Sequence, residues 1–93
     1  MDYPIDFYII LLDIYMPGLL GTDIAREMRK QKSQAEIIFL STSNEFAVEA
    51  FDTEAVDYVL KPVAQDRLAR AIDRAVTRRG EVRTQPSGEW LHE

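Results

Sequence analysis

Three short apolar runs, each stopped by a polar residue of a different kind, constrain this chain more than any other feature. Phe7-Tyr8-Ile9-Ile10-Leu11-Leu12 ends in Asp13, Ile37-Ile38-Phe39-Leu40 ends in Ser41, and Tyr58-Val59-Leu60 ends in Lys61. Uninterrupted runs of β-branched and aromatic residues predict strands buried on both faces, not amphipathic edges. Between and after them the apolar spacing becomes helical: Ile24, Ala25 and Met28, then Phe46, Ala47, Ala50 and Phe51, then Leu68, Ala71, Ile72, Ala75 and Val76. The order β-α-β-α-β-α implies an α/β fold, a parallel sheet covered by helices through right-handed crossovers. Chemistry in such sheets sits at the C-terminal strand ends. Pro17-Gly18 and Pro62 punctuate two of those ends.

With 93 residues, the chain has room for one small core. Thr77-Arg78-Arg79-Gly80 followed by Gln85-Pro86-Ser87-Gly88 reads as a helix end and a linker, so residues 1–79 are expected to form the domain and 80–93 a tail carrying Trp90 and His92. The net charge of -5 is spread along the chain without a basic block, which argues against direct nucleic-acid binding. Cysteine is absent, which removes thiolate chemistry and disulfide frameworks and points to a cytoplasmic setting. No apolar run reaches the roughly 18 residues of a membrane span, so no membrane partner is expected.

Parallel strands in register would bring Asp13, Ser41 and Lys61 to one edge of the sheet. The three are chemically coherent there: a carboxylate can attack phosphorus, a hydroxyl can hydrogen-bond a phosphoryl oxygen, and an ammonium can neutralise its charge. Each alone is ordinary, since a strand-terminal Asp or Ser commonly bonds local backbone and a surface Lys is commonly solvated.

Leu11-Leu12-Asp13-Ile14-Tyr15-Met16-Pro17-Gly18 resembles the LLD-x-x-MPG pattern of bacterial response-regulator receiver domains, and Asp57-Tyr58-Val59-Leu60-Lys61-Pro62 resembles their DY-x-x-KP pattern. Phe46-Ala47-Val48-Glu49-Ala50-Phe51 is similar to the fourth helix of receivers joined to LytTR-type DNA-binding domains. The resemblance covers about residues 5–76 and implies a CheY/flavodoxin-like parallel sheet. It also implies an N-terminally truncated domain that lacks the first two βα units. By this resemblance Asp13 is the phosphoacceptor, Lys61 pairs with the phosphoryl group through a cis Lys61-Pro62 peptide, Ser41 is the switch hydroxyl and Tyr58 the switch aromatic. Asp13 and the backbone carbonyl of Tyr15 would hold Mg²⁺, weakly, because the family's acidic pair after its first strand has no counterpart here. Asp6 lies seven residues before Asp13, about 23 Å along a strand. Leu20 stands where many members carry Asp.

The implied function is phosphoacceptance in a two-component system, with a sensor histidine kinase upstream and a transcriptional output domain downstream, and without enzymatic activity. A degenerate receiver serving as an interaction module is the alternative. A phosphatase of the haloacid dehalogenase class would need a second Asp two residues after the nucleophile, where Tyr15 stands. In the 2-1-3-4-5 order of the fold the missing first strand would lie beside Phe7–Leu12. That edge is therefore expected to pair with a second copy of the chain as a homodimer.

Overall fold

The computed structural model describes residues 8–82. Its elements are β1 (Ile9–Asp13), β2 (Tyr15–Met16), β3 (Leu19–Leu20), α1 (Gly21–Lys30), β4 (Glu36–Ser41), α2 (Ala47–Phe51), β5 (Asp57–Leu60) and α3 (Gln65–Val82). The expected alternation is present, with one addition: β2 and β3 form a two-residue antiparallel hairpin that the apolar runs did not announce. Its turn is made by Pro17-Gly18, with Gly18 at φ 77°, a conformation glycine adopts without a Cβ penalty.

β1, β4 and β5 form a parallel sheet in that order. Alternation of side chains along β4 builds two cores. Ile37 and Phe39 join Ile14, Ala25, Ala50, Ala55 and Tyr58 on the face covered by α1 and α2. Ile38 joins Val59 and Ala71 on the face covered by α3. Ala71 and Ala75 are the helix residues fully buried there, while Ile72 and Val76 of the same predicted stripe are exposed. A helix packed close to a sheet buries small residues along its contact line and leaves larger ones at its flanks.

β1 departs from expectation. It is half-buried instead of buried on both faces, with Leu11 46% exposed and Tyr8, just before it, 64% exposed. The reason is its position: β4 has a strand on each side, whereas β1 is paired on one side among the described residues. Phe7, expected at the start of this strand, lies outside the described residues. The Glu36 N–H donates to Tyr8 O and the Ile14 N–H donates to Leu40 O, at 2.8 and 2.9 Å. Parallel alternation then turns the backbone groups of Ile10 and Leu12 toward β4 and those of Ile9, Leu11 and Asp13 to the open edge.

Two buried carboxylates anchor α3. Asp57, at the start of β5, accepts from Arg67 at 2.8 and 2.9 Å and from Arg74 at 2.8 Å. Glu36, at the start of β4, faces Arg78 and Arg79 at 3.5 and 3.6 Å. These contacts carry the helix through Gly80 to Val82. Arg29 of α1 donates to the carbonyls of Thr53, Ser33 and Ala35 at 2.7–2.9 Å, fastening the α2–β5 loop to the α1–β4 loop.

Candidate functional site

The register sets the site. Asp13 is opposite Leu40, and Ser41 is opposite Leu60, so the last residues of β1, β4 and β5 come level at one end of the sheet. The Lys61 N–H donates to Ser41 O at 2.8 Å, which ties the chain leaving β5 to the end of β4. The Lys61-Pro62 peptide is cis, as the resemblance implies. The Lys61 ammonium meets the Asp13 carboxylate, Nζ to Oδ1, at 2.7 Å. Both side chains keep more than a third of their surface in solvent, so the pair is a screened contact open to a ligand, not a sealed structural bridge.

Ser41 is buried at the neighbouring strand end, and its Oγ accepts the Ser43 N–H at 3.2 Å. A hydroxyl has one proton to give and two lone pairs, so the Ser41 O–H remains a donor. Tyr58 is turned inward and 8% exposed, its ring 6.4 Å from that of Phe39 and its hydroxyl donating to Ser43 O at 2.6 Å. Tyr15, assigned a role only through its carbonyl, also uses its side chain. The phenol donates to Glu45 Oε1 at 2.8 Å and lies 3.4 Å from Ser43 Oγ, and the ring meets Phe46 edge-on at 5.7 Å. The Ser43 hydroxyl acts to lower the phenol's pKa, but the Glu45 hydrogen bond and charge with partial desolvation outweigh it, and the pKa is raised.

Gly21, at the start of α1, packs against the backbone of Asp13 and Ile14. Its N–H donates to Ile14 O at 2.8 Å, and a Cβ there would run into the Asp13 carbonyl, with Asp13 C at 3.0 Å and Ile14 Cα at 3.2 Å. A glycine directly after a hairpin marks close backbone approach, but this hairpin was not itself legible in the sequence, so Gly21 carried no sign there. Ser43 and Glu45 left a weak sign: the polar run Ser41-Thr42-Ser43-Asn44-Glu45 predicts local side-chain-to-backbone bonding, but nothing in its spacing points to Tyr15.

As oxygen donors, the Asp13 carboxylate and the Tyr15 carbonyl suit a hard cation such as Mg²⁺, which keeps several waters and binds proteins through one or two carboxylates. Among the described residues no cluster of three or more His, Cys, Asp or Glu side chains adds to them. Asp2, Asp6, Trp90 and His92 lie outside the described residues.

Comparison with known proteins gives a consistent answer. The response regulator receiver domain family matches residues 4–73. The sensory transduction protein LytR of Staphylococcus saprophyticus is 42% identical over 67 residues, which cover 72% of this chain and 26% of that protein. The positive alginate biosynthesis regulatory protein of Pseudomonas aeruginosa is 43% identical over 67 residues, covering 72% and 27%. Among solved structures, FixJ-N superposes with a TM-score of 0.68 at 28% identity, covering 74% of this chain and 57% of that one. The response regulator TrrA of Thermotoga maritima, solved in complex with Mg²⁺ and BeF, superposes at 0.62 with 33% identity, covering 72% and 58%. The chain thus spans about a quarter of the length of these curated relatives.

Proposed function

The chain belongs to the response-regulator receiver family, and from that premise we propose that it is a phosphoacceptor of two-component signalling in which Asp13 takes the phosphoryl group. The observation that carries the proposal is the 2.7 Å contact between Lys61 and Asp13 at the strand end where Ser41 is also buried. In this reading a carboxylate oxygen of Asp13 forms the new bond to phosphorus while the bond from phosphorus to the donor's nitrogen or oxygen breaks, and the donor leaves with the electron pair. Lys61, already in place, stays beside the added charge, and the Ser41 hydroxyl donates to a phosphoryl oxygen. Receiver domains bind Mg²⁺, and here Asp13 and the Tyr15 carbonyl would hold it. When bound, the ion supplies neutralisation of phosphoryl charge. With these two protein donors among the described residues, its binding would be weak. Tyr58 serves as the switch aromatic because its hydroxyl ends on the loop that follows Ser41.

The partners in this reading are a sensor histidine kinase and an output domain of transcriptional type, in a cytoplasmic setting, with signal transfer and not enzymatic turnover as the task. Among the described residues no helix is long and apolar enough to cross a membrane. The test is incubation with acetyl phosphate and Mg²⁺ followed by intact mass and acid-urea gels. One phosphoryl group bound as a hydroxylamine-sensitive acyl phosphate, absent in Asp13→Asn, supports the proposal; a label that persists in Asp13→Asn overturns it.

A second reading is favoured by the open edge of β1. Backbone groups of Ile9 and Leu11 face outward there beside the exposed Leu11 side chain, which suits strand pairing with a second copy of the chain. In that case the domain works as a dimerisation module without phosphorylation. A dimer by sedimentation together with no acyl phosphate would select it.

A further inference from the structure

Ser43 uses every polar group it has. Its N–H donates to Ser41 Oγ at 3.2 Å, its carbonyl accepts the Tyr58 hydroxyl at 2.6 Å, and its Oγ accepts the Glu45 N–H at 3.1 Å beside the Tyr15 hydroxyl at 3.4 Å. Through Glu45 Oε1 the Tyr15 phenol is held at 2.8 Å, and its ring rests on Phe46, whose carbonyl accepts the Ala50 N–H in the first turn of α2. Tyr15 follows Asp13 by two residues on β2, whereas Ser43, Glu45 and Phe46 belong to the loop after β4. Two loops from neighbouring strand ends are therefore joined by side chains on the site's own side of the sheet.

The bonds differ in a way that gives direction to the joint. The Ser41 oxygen is occupied by the Ser43 amide while its proton is free to turn toward a group on Asp13. A displacement of that hydroxyl carries the Ser43 backbone with it. From Ser43 two arms diverge: the carbonyl leads to Tyr58, and the hydroxyl leads through Glu45 to Tyr15.

We propose that Tyr15 is a positioning residue that senses occupation of the Asp13 site through Ser43 and Glu45, as a second aromatic arm beside Tyr58 that ends on Phe46 at the start of α2. The inference rests on the reading of Asp13 as phosphoacceptor, and it adds a regulatory element that this reading does not contain. Ser43→Ala separates the arms, because it removes the hydroxyl bonds to Glu45 and Tyr15 and leaves the backbone bonds to Ser41 and Tyr58 in place. A direct influence of the ligand on the nearby Tyr15 ring would survive that cut; a coupled one would not.

The experiment uses the full chain with ring carbon-labelled tyrosine, assigned by Tyr15→Phe and Tyr58→Phe, and titrated with beryllofluoride in the presence of Mg²⁺ while fluorine NMR follows the bound species. The expected result is that Tyr15 and Tyr58 resonances both move along the binding curve, and that in Ser43→Ala Tyr58 still moves while most of the Tyr15 change is lost. Glu45→Ala, at an exposed position, cuts the arm one step further along by removing the 2.8 Å bond to the Tyr15 phenol, and the same loss of the Tyr15 change is expected there should Ser43→Ala fold poorly. Bound beryllofluoride with a silent Tyr15, or with Tyr15 moving equally in both variants, overturns the coupling and leaves the phosphoacceptor reading intact. Absence of any bound fluorine signal overturns the phosphoacceptor reading and the coupling with it.

Discussion

Substituting Gly21 by alanine tests whether the backbone beneath Asp13 is a packed part of the site. No unusual φ is involved, so the effect comes from space alone. The added Cβ would meet the Asp13 carbonyl well inside van der Waals contact, with two further backbone atoms at 3.0 and 3.2 Å. Backbone cannot rotate away as a flexible side chain can, so either α1 or the end of β1 must shift, and the 2.8 Å bond from the Gly21 N–H to Ile14 O lies in the path. Overpacking of this kind costs about 1–3 kcal/mol. For a domain of this size each kcal/mol lowers Tm by roughly 4–8 °C. A shift at the site matters more than the same shift elsewhere, because a misplacement of about 1 Å lowers a position-dependent reaction about 100-fold. Gly21→Ala should therefore unfold earlier in urea, at an unchanged m-value, and take up phosphoryl from acetyl phosphate about 100-fold more slowly. A variant with the wild-type midpoint and wild-type labelling would refute the packing argument.

Asp57→Ala should cost about 1.5–3 kcal/mol, the scale of hydrogen bonds to a charged group, since it leaves Arg67 and Arg74 without their shared carboxylate. Burial raises the Asp57 pKa, but the Arg67 hydrogen bond, the Tyr58 N–H and the two guanidinium charges outweigh it and hold it below the ordinary carboxylate value. The contribution is thus present above about pH 4 and is lost as pH falls through the depressed folded value, so acid titration of stability should show a step there that Asp57→Ala lacks. Arg29→Lys should lose about 1.5–3 kcal/mol by urea denaturation, because an ammonium cannot serve the Thr53, Ser33 and Ala35 carbonyls together. Leu11→Lys should fold with near wild-type stability and weaken any self-association seen by sedimentation, while the same change at the half-buried Ile10 should give an unfolded or aggregated protein; equal behaviour of the two would contradict the edge assignment.

The elements that could be read from sequence are those whose burial is uniform. β4 declares itself because both its faces are covered, and its continuous apolar run states that directly. Asp13, Ser41 and Lys61 could be placed together because strand register converts sequence position into position on an edge. β1 carries an equally apolar run but is half-exposed, since a run of side chains reports what a strand is able to bury and not which neighbours it has. The β2–β3 hairpin escaped because two-residue strands have no period to detect. Tyr15, Ser43 and Glu45 escaped for a different reason: their contacts link loops 28 and 30 residues apart through side-chain reach.

The same distinction orders the molecule. At the end of the sheet away from Asp13, polar groups are spent on fixing structure: Arg29 on three carbonyls, Arg78 and Arg79 on Glu36, with Asp57 taking Arg67 and Arg74 along the flank of α3. These charges are satisfied internally, and that end offers a ligand little beyond exchange of one partner for another. At the Asp13 end the arrangement is looser. The Asp13–Lys61 pair is more than one-third exposed, and the hydroxyl of Ser41 retains a proton to donate. In the proposed phosphoacceptor reading, a phosphoryl group arriving there would gain an ammonium and a hydroxyl donor without first breaking a buried network. Rigidity at one pole and unspent hydrogen-bonding capacity at the other are what a fold needs if a single covalent change is to move a loop and leave the sheet in place.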